Sequence, residues 1–333
     1  MRTVGSEYSE LSRRVRAAGL MDRRPRHYRI RIAVGATAWV GGWAAFVVLG
    51  ASWWQLAVAA FLAVTFTQIG FLGHDAGHRQ VFGSRRANDA LGVLCANAAI
   101  GLSYGWWVGK HNRHHAHPNH SERDPDIADG ALAFTRAQAR ARGSAVGRAV
   151  ARHQAVLFFP MLLLQGIALH VYSVMGLRES YRTRPVEAVL LVAHLLAYVA
   201  VVVAVLPPLQ ALAFVAVHQG LFGVYMGSAF APNHKGMPVL SDAEQLDYLR
   251  KQVLTSRNVS GGRFVDTVLG GLNLQIEHHL FPSMPSPSLR AAAPLVREFC
   301  REREVAYLET TFVDSYGQVL RHLRDVGAEA GRG

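Results

Sequence analysis

The sequence predicts an all-α integral membrane protein. It has four transmembrane helices in two hairpins, interfacial helices, and a cytosolic cap that holds a histidine-rich di-metal site. Three observations carry that expectation. Half of the 333 residues are hydrophobic and only 17% are charged, so mean hydropathy is positive, which is unusual for a soluble enzyme. The apolar residues gather into runs of about 20, the length that crosses a hydrocarbon core of about 30 Å. Three short histidine clusters lie beside those runs: His74-x3-His78, His111-x2-His114-His115 and Gln275-x2-His278-His279.

The elements follow in order. Residues 1–29 read as a basic, partly helical cytosolic arm carrying Arg13, Arg14, Arg16, Arg23, Arg24 and Arg26. No short apolar core with a small-residue cleavage site follows, so no signal peptide is expected. A first span runs from Ile30 to about Leu49, and Trp53-Trp54 marks an interface. A second apolar run, Leu56 to about Leu72, leads directly into His74. The connection between the two holds no Lys or Arg, whereas the arm and Arg79, Arg85 and Arg86 lie at the opposite ends. The positive-inside rule therefore puts the first histidine cluster on the cytoplasmic side of an inner or plasma membrane.

Asn88–Trp107 is richer in Gly and Ala and reads as an interfacial or re-entrant helix leading to the second cluster. Residues 131–152 read as an Arg-studded cytosolic helix. Three more apolar runs follow, at about 155–176, 186–206 and 209–231. If all clusters share one site, three crossings would put the third on the wrong side. Arg178, Arg182 and Arg184 also end the first of these runs. The 155–176 run is therefore expected not to span but to dip in at Pro160 or lie along the interface. The other two form a hairpin turned at Pro207-Pro208, which leaves both termini cytoplasmic. Residues 241–271 read as a polar, Gly-rich connection near the site, and the tail as two amphipathic helices. The domain reading is an arm at 1–29, a membrane domain at 30–290 and C-terminal cytosolic helices at 291–333.

The net charge is +12. Because the Arg residues flank apolar runs, it indicates membrane anchoring rather than a nucleic-acid partner. Cys95 and Cys300 have no metal-ligand spacing and form no disulfide framework. The sequence shows no internal repeat.

Read as helical, each cluster aims its side chains from one face: i and i+4 for the first, i, i+3 and i+4 for the other two. Seven imidazoles exceed what one tetrahedral zinc takes. They suit two transition metals, and imidazole alone does not choose among iron, copper, zinc and nickel. His234 emerges with Asn233 at the cytoplasmic end of the last span and is a candidate eighth ligand. Asp124 and Asp126 either accept N–H bonds from the second cluster or form a plain Asp-Pro turn. Asp75, Glu277 and Asn233 are further supporting candidates. His170, His194 and His218 lie within apolar runs and read as hydrogen-bonded core histidines.

The three clusters, in this order around two helix hairpins, resemble the histidine boxes of the membrane fatty acid desaturase family over about residues 30–290. Gln275 at the head of the third box resembles acyl-lipid and front-end members. The resemblance implies a non-haem di-iron centre, two Fe ions, that activates O2 and inserts a cis double bond into an acyl-CoA or membrane-lipid chain. It implies His74, His78, His111, His114, His115, His278 and His279 as ligands, His234 at a further ligand position, and Gln275 beside the metal rather than on it. Some relatives carry a fused cytochrome b5 domain. The arm here is too short to fold as one, so an external donor is expected: a ferredoxin, rubredoxin, cytochrome b5 or flavin reductase. A basic surface would dock an acidic carrier. Lipid or carotenoid hydroxylases of the same superfamily share such boxes. A metal transporter is disfavoured because the clusters sit at helix ends rather than mid-span.

Overall fold

The computed structural model describes residues 6–180 and 184–332. Arg182 lies outside them, as does the side chain of Arg178. In chain order the helices begin with α1 (Glu7–Ala17), α2 (Pro25–Leu49) and α3 (Gln55–Gly77). Next come α4 (Arg85–Val93), which continues as a π-helical stretch at Leu94–Ala99, then α5 (Tyr104–Ala116) and α6 (Arg136–Arg140). The middle of the chain holds α7 (Ala145–Leu162), α8 (Gln165–Ser180), α9 (Pro185–Val205) and α10 (Pro208–His234). The remainder is α11 (Tyr248–Leu254), strand β1 (Asn258–Val259), α12 (Gly262–Val268), α13 (Gln275–Leu280), α14 (Ser286–Glu302), strand β2 (Glu309–Thr310) and α15 (Phe312–Gly327).

Among the described residues, four helices, α2, α3, α9 and α10, are long and apolar enough to cross a membrane. At 1.5 Å per residue, α2 is about 37 Å long. Two further pairs pass the same test only when joined, and both are bent: 117° between Arg85–Ala99 and α5, and 83° between α7 and α8. Counting each bent pair as one span would give six. The expected dips at 88–107 and 155–176 thus appear as broken helices. The second break falls at Leu163-Leu164, just after Pro160, whose ring removes a backbone donor from α7.

The chain divides into two compact units. The span unit comprises residues 23–109 and 159–228. Its core is built on Phe46, Leu62, Phe66, Phe214 and Phe222, and α3 is its most enclosed span. The break before α5 is held by Glu187. Its carboxylate accepts from Gly105 N at 2.8 Å and from Arg184 Nη1 at 2.8 Å. Asn97 donates to Glu187 O at 3.0 Å and accepts from Tyr104 N at 3.1 Å. His170 and His194 direct Nδ1 at the carbonyls of Gly101 (2.7 Å) and Ala98 (2.8 Å), and His218 Nδ1 meets the Tyr198 hydroxyl at 2.9 Å. These contacts fit core histidines. Gly101 has φ +70°, and a Cβ there would lie 2.4 Å from the His194 ring. Only glycine fits that turn.

The cap unit comprises the described residues 6–22, 110–158 and 229–332. Its core packs Leu11 and Val15 of α1 with Leu249, Val253, Ile276, Leu280, Leu289, Val296 and Phe299. The Arg-studded stretch expected as one helix is two, α6 and the start of α7. Thr135 and Gln138 form a capping box on α6. Gly143 follows, and Ser144 caps α7 by accepting from Gly147 N at 3.0 Å. The 241–271 connection is also more ordered than its polar composition suggests. It folds as α11, β1 and α12, and β1 pairs in parallel with β2 through Asn258↔Glu309 and Val259↔Thr310. The tail is α14 and α15, two amphipathic helices as expected, with β2 between them.

Candidate metal centre

Within the cap unit, three elements converge. The end of α5 presents His111, His114 and His115. The last turn of α10 presents Asn233 and His234. The short helix α13 presents Gln275, His278 and His279. One nitrogen from each of His114, His234 and His279 lies within 4.8 Å of the other two. Their ring centroids are 4.7 Å (His114–His234), 5.0 Å (His114–His279) and 4.6 Å (His234–His279) apart. His115 stacks on His279 at 4.3 Å and lies 4.8 Å from His278. His111 stacks on His278 at 6.3 Å, and its Nε2 is 3.1 Å from that of His115.

The partners of the outer nitrogens decide what the inner ones offer. His114 Nδ1 lies 3.0 Å from both carboxylate oxygens of Asp124. His234 Nδ1 lies 3.0 Å from Thr255 O, and a carbonyl only accepts, so this nitrogen carries the hydrogen. His279 Nδ1 lies 2.9 Å from Gln252 Oε1. The amide orientation of Gln252 follows from its Nε2, which donates to His115 O at 2.9 Å. All three rings therefore hold hydrogen on Nδ1 and keep a lone pair on Nε2, the tautomer a metal needs. Gln275 Nε2 donates to His234 Nε2 at 2.9 Å, a bond that itself requires the lone pair there.

Buried acceptors and donors hold these partners in turn. Asp124 accepts from Asn119 N at 2.7 Å and from Asp126 N at 2.9 Å. Burial alone would raise its carboxyl, but the hydrogen bond from His114, with the nearby Lys235 charge, holds the group below its ordinary range. Asp126 pairs with Lys110, and Lys235 donates to its carbonyl at 2.9 Å. Arg257, fully buried, closes the end of α10. It donates to Pro232 O at 2.6 Å, to Lys235 O, and to Gln318 Oε1 at 2.8 Å. Burial lowers its pKa to about 10, which leaves it charged.

Other expected residues are placed differently. Asn233 Nδ2 donates to Ala229 O of its own helix at 3.2 Å. Glu277 points to the far side of α13, where it accepts from Asn258 Nδ2 at 2.7 Å and the Tyr307 hydroxyl at 2.9 Å. Burial pushes its carboxyl up to about 7 against those two hydrogen bonds. It anchors the helix that carries the third box.

Within the span unit, His74 lies in the last turn of α3 and His78 caps that helix, with ring centroids 4.7 Å apart. Trp107 lies 5.5 Å from His74. Asp75 is buried; Arg31 Nη1 donates to it at 2.8 Å, and His74 Nδ1 stands 3.3 Å from its other oxygen. The Tyr28 hydroxyl lies 3.2 Å from Asp75 and 2.9 Å from Gln80 Oε1. Arg79 follows at φ +60°, which ends the helix directly after the first box.

Gln252, Thr255 and Arg257 were not among the residues singled out as ligands or supports. They sit in the 241–271 stretch, which the sequence marks only as a polar, Gly-rich connection near the site.

Comparison with known proteins gives the family of the chain. Residues 51–311 match the family model described as Fatty acid desaturase. The chain is 32% identical to an acyl-lipid (9-3)-desaturase of Physcomitrium patens over 83% of its own length and 54% of that protein. It is 30% identical to the Delta(6)-fatty-acid desaturase fat-3 of Caenorhabditis elegans, over 82% of its length and 65% of the relative. It is also 30% identical to the Delta(5) fatty acid desaturase fat-4 of the same organism, over 99% and 75%. The chain thus spans between about half and two thirds of the first two relatives.

Proposed function

Because the chain belongs to the fatty acid desaturase family, we propose that it is an O2-dependent acyl desaturase. Its substrate would be a fatty acyl chain on CoA or a membrane lipid, and its product would carry a new cis double bond. The observation that carries this reading is the set of three Nε2 lone pairs on His114, His234 and His279, each fixed by a separate Nδ1 partner. Neutral imidazole suits iron.

We assign His111, His115 and His278 to the same centre as ligands. His74 and His78 enter from the family, whose first box they match. Bound there, two irons would supply the O2-derived oxidant that cleavage of an unactivated alkyl C–H bond requires and that side chains cannot. The residues' own work is orientation. Asp124, Thr255 and Gln252 fix the tautomers, Arg257 fixes the end of α10, and Glu277 fixes α13. Asp75 and Gln275 stand beside their boxes as positioning groups, Asp75 paired with Arg31.

The electron balance sets the partner class. Reduction of O2 to two waters takes four electrons, and the two C–H bonds supply two. An external reductant, such as a ferredoxin, rubredoxin, cytochrome b5 or flavin reductase, supplies the other two. The Arg distribution supports a cytoplasmic placement of the boxes and both termini.

The test is expression in a host followed by mass analysis of its fatty acids. A new species lighter by two hydrogens, absent in His114→Ala, supports desaturation. A species heavier by one oxygen would replace this reading with hydroxylation.

A further inference from the structure

Helices α7 and α15 of the cap unit run antiparallel. Gly327 lies against α7, where a Cβ on it would be 2.2 Å from Ala151 O. Gln154 Nε2 donates to Leu323 O at 2.8 Å, and the rings of Phe158 and Tyr316 are 6.4 Å apart. The pairing descends along α15 as it ascends along α7. Val313 and Phe312 therefore lie about 4.5 and 6 Å beyond Tyr316, in the direction in which α7 advances.

Along that direction α7 changes character. Arg148, Arg152, His153 and Gln154 precede the change, and from Ala155 to Leu162 no polar side chain remains. Val156 is 78% exposed there, and α7 with α8 is apolar enough to enter a membrane. The level of Phe312 and Val313 is past the point where α7 turns apolar.

A second element reaches the same place. Ser260 N donates to Thr310 O at 2.9 Å at the end of the β1–β2 ladder. The two strands then lead into helices, α12 at Gly262 and α15 at Phe312, within three residues of the ladder. Phe264 is 76% exposed, Val313 79% and Phe312 41%. Arg263 is exposed on the same turn. The acids at this end are each engaged: Asp314 accepts from the Thr311 hydroxyl at 2.7 Å, Asp266 of α12 pairs with Arg290, and Glu309 of β2 pairs with Arg297.

We infer that the paired N-termini of α12 and α15 form a membrane-interface anchor, with Phe264, Phe312 and Val313 inserted at the boundary between lipid headgroups and acyl chains. Exposed apolar side chains beside an arginine, at the level where α7 has turned apolar, suit a lipid surface. The anchor would tie the histidine-bearing cap to the bilayer by contacts separate from the spans. The inference rests on the reading of α9 as a lipid-facing span, and the test separates the two.

The test is spin labelling of the full chain in lipid nanodiscs. Nitroxides are placed at Phe264→Cys and Val313→Cys, at Val203→Cys in α9 as the lipid reference, and at Glu298→Cys in α14 as the water reference. Native Cys95 and Cys300 are buried and do not compete for label. Collision with O2 is compared with collision with a water-soluble nickel chelate. The labels at 264 and 313 are expected to show an O2-to-nickel ratio at least about threefold above that at 298, approaching the value at 203. The inference is overturned if both follow the label at 298. It is equally overturned if both are shielded from both reagents, which would mean that protein covers the face. If the label at 203 also follows that at 298, the spanning assignment has failed and the anchor falls with it.

Discussion

His279 and Gln252 face each other across 2.9 Å, ring Nδ1 to amide Oε1, and the second amide arm of Gln252 holds the backbone of His115. One side chain from α11 thus sets the orientation of a third-box ring and the path of the second box. Replacing it with the near-isosteric Gln252→Leu leaves both contacts unmade. Iron affinity should fall about 10–100-fold, the usual cost of losing an outer-shell partner of a metal-bound imidazole. Iron titration of the purified variant reads this directly, and an unchanged affinity would remove Gln252 from the account.

Asp124 does two things that its variants separate. Asp124→Asn keeps one acceptor for His114 but loses the charge. Iron affinity is expected to drop by about tenfold or more while the fold survives. Asp124→Ala also strips the acceptors from Asn119 N and Asp126 N. Each orphaned buried donor costs about 1–3 kcal/mol. Asparagine keeps one oxygen and so orphans one of these donors, whereas alanine orphans both; thermal unfolding in detergent should therefore fall further for the alanine variant than for the asparagine variant. Equal unfolding temperatures for the two would contradict the hydrogen-bond assignment.

Arg257 is expected to be intolerant of neutral replacement. Arg257→Met takes its donor from the Lys235 carbonyl, a loss worth about 1–3 kcal/mol, leaves the Pro232 carbonyl with the Ser315 hydroxyl in place of two donors, and frees the turn that carries His234. Lower thermal stability should accompany lower iron content. Arg257→Lys, with one donor group in place of a fork, should fall between the two. A methionine variant that matches wild type in both measures would rule out the clamp.

The α7–α15 seam makes a steric prediction. At Gly327 an added Cβ would stand 2.2 Å from the Ala151 carbonyl, so Gly327→Ala should cost about 1–3 kcal/mol by overpacking. Gly143→Ala, where nothing lies within 4 Å, serves as the control. Comparable unfolding temperatures for the two variants would show that the helices do not approach this closely.

How much of this could be read in advance differs by feature. The four long spans were legible because lipid solvation demands an uninterrupted apolar run, which is visible in any window of the right length. His111, His114 and His115 were legible because i, i+3 and i+4 spacing decides a helix face without reference to any partner. Gln252 and Thr255 were not, because what makes them matter is a contact with His279 and His234, and periodicity carries no information about contacts across elements. The folding of 241–271 was hidden for a related reason. Its short helices and the two-residue strand β1 are held by β2, some 50 residues onward, and by Arg257. The break at Leu163-Leu164 had a visible cause in Pro160, but the 83° bend did not follow from it.

The most direct test of the central claim is the iron stoichiometry of the purified chain, reconstituted anaerobically with ferrous iron and desalted. The account predicts about two irons per chain, the capacity expected of this many imidazoles. It predicts a fall to about one on His234→Ala, which removes a member of the His114–His234–His279 group, and no change on His194→Ala, which removes a core histidine. Retention of two irons by His234→Ala, or their loss from His194→Ala, would contradict it.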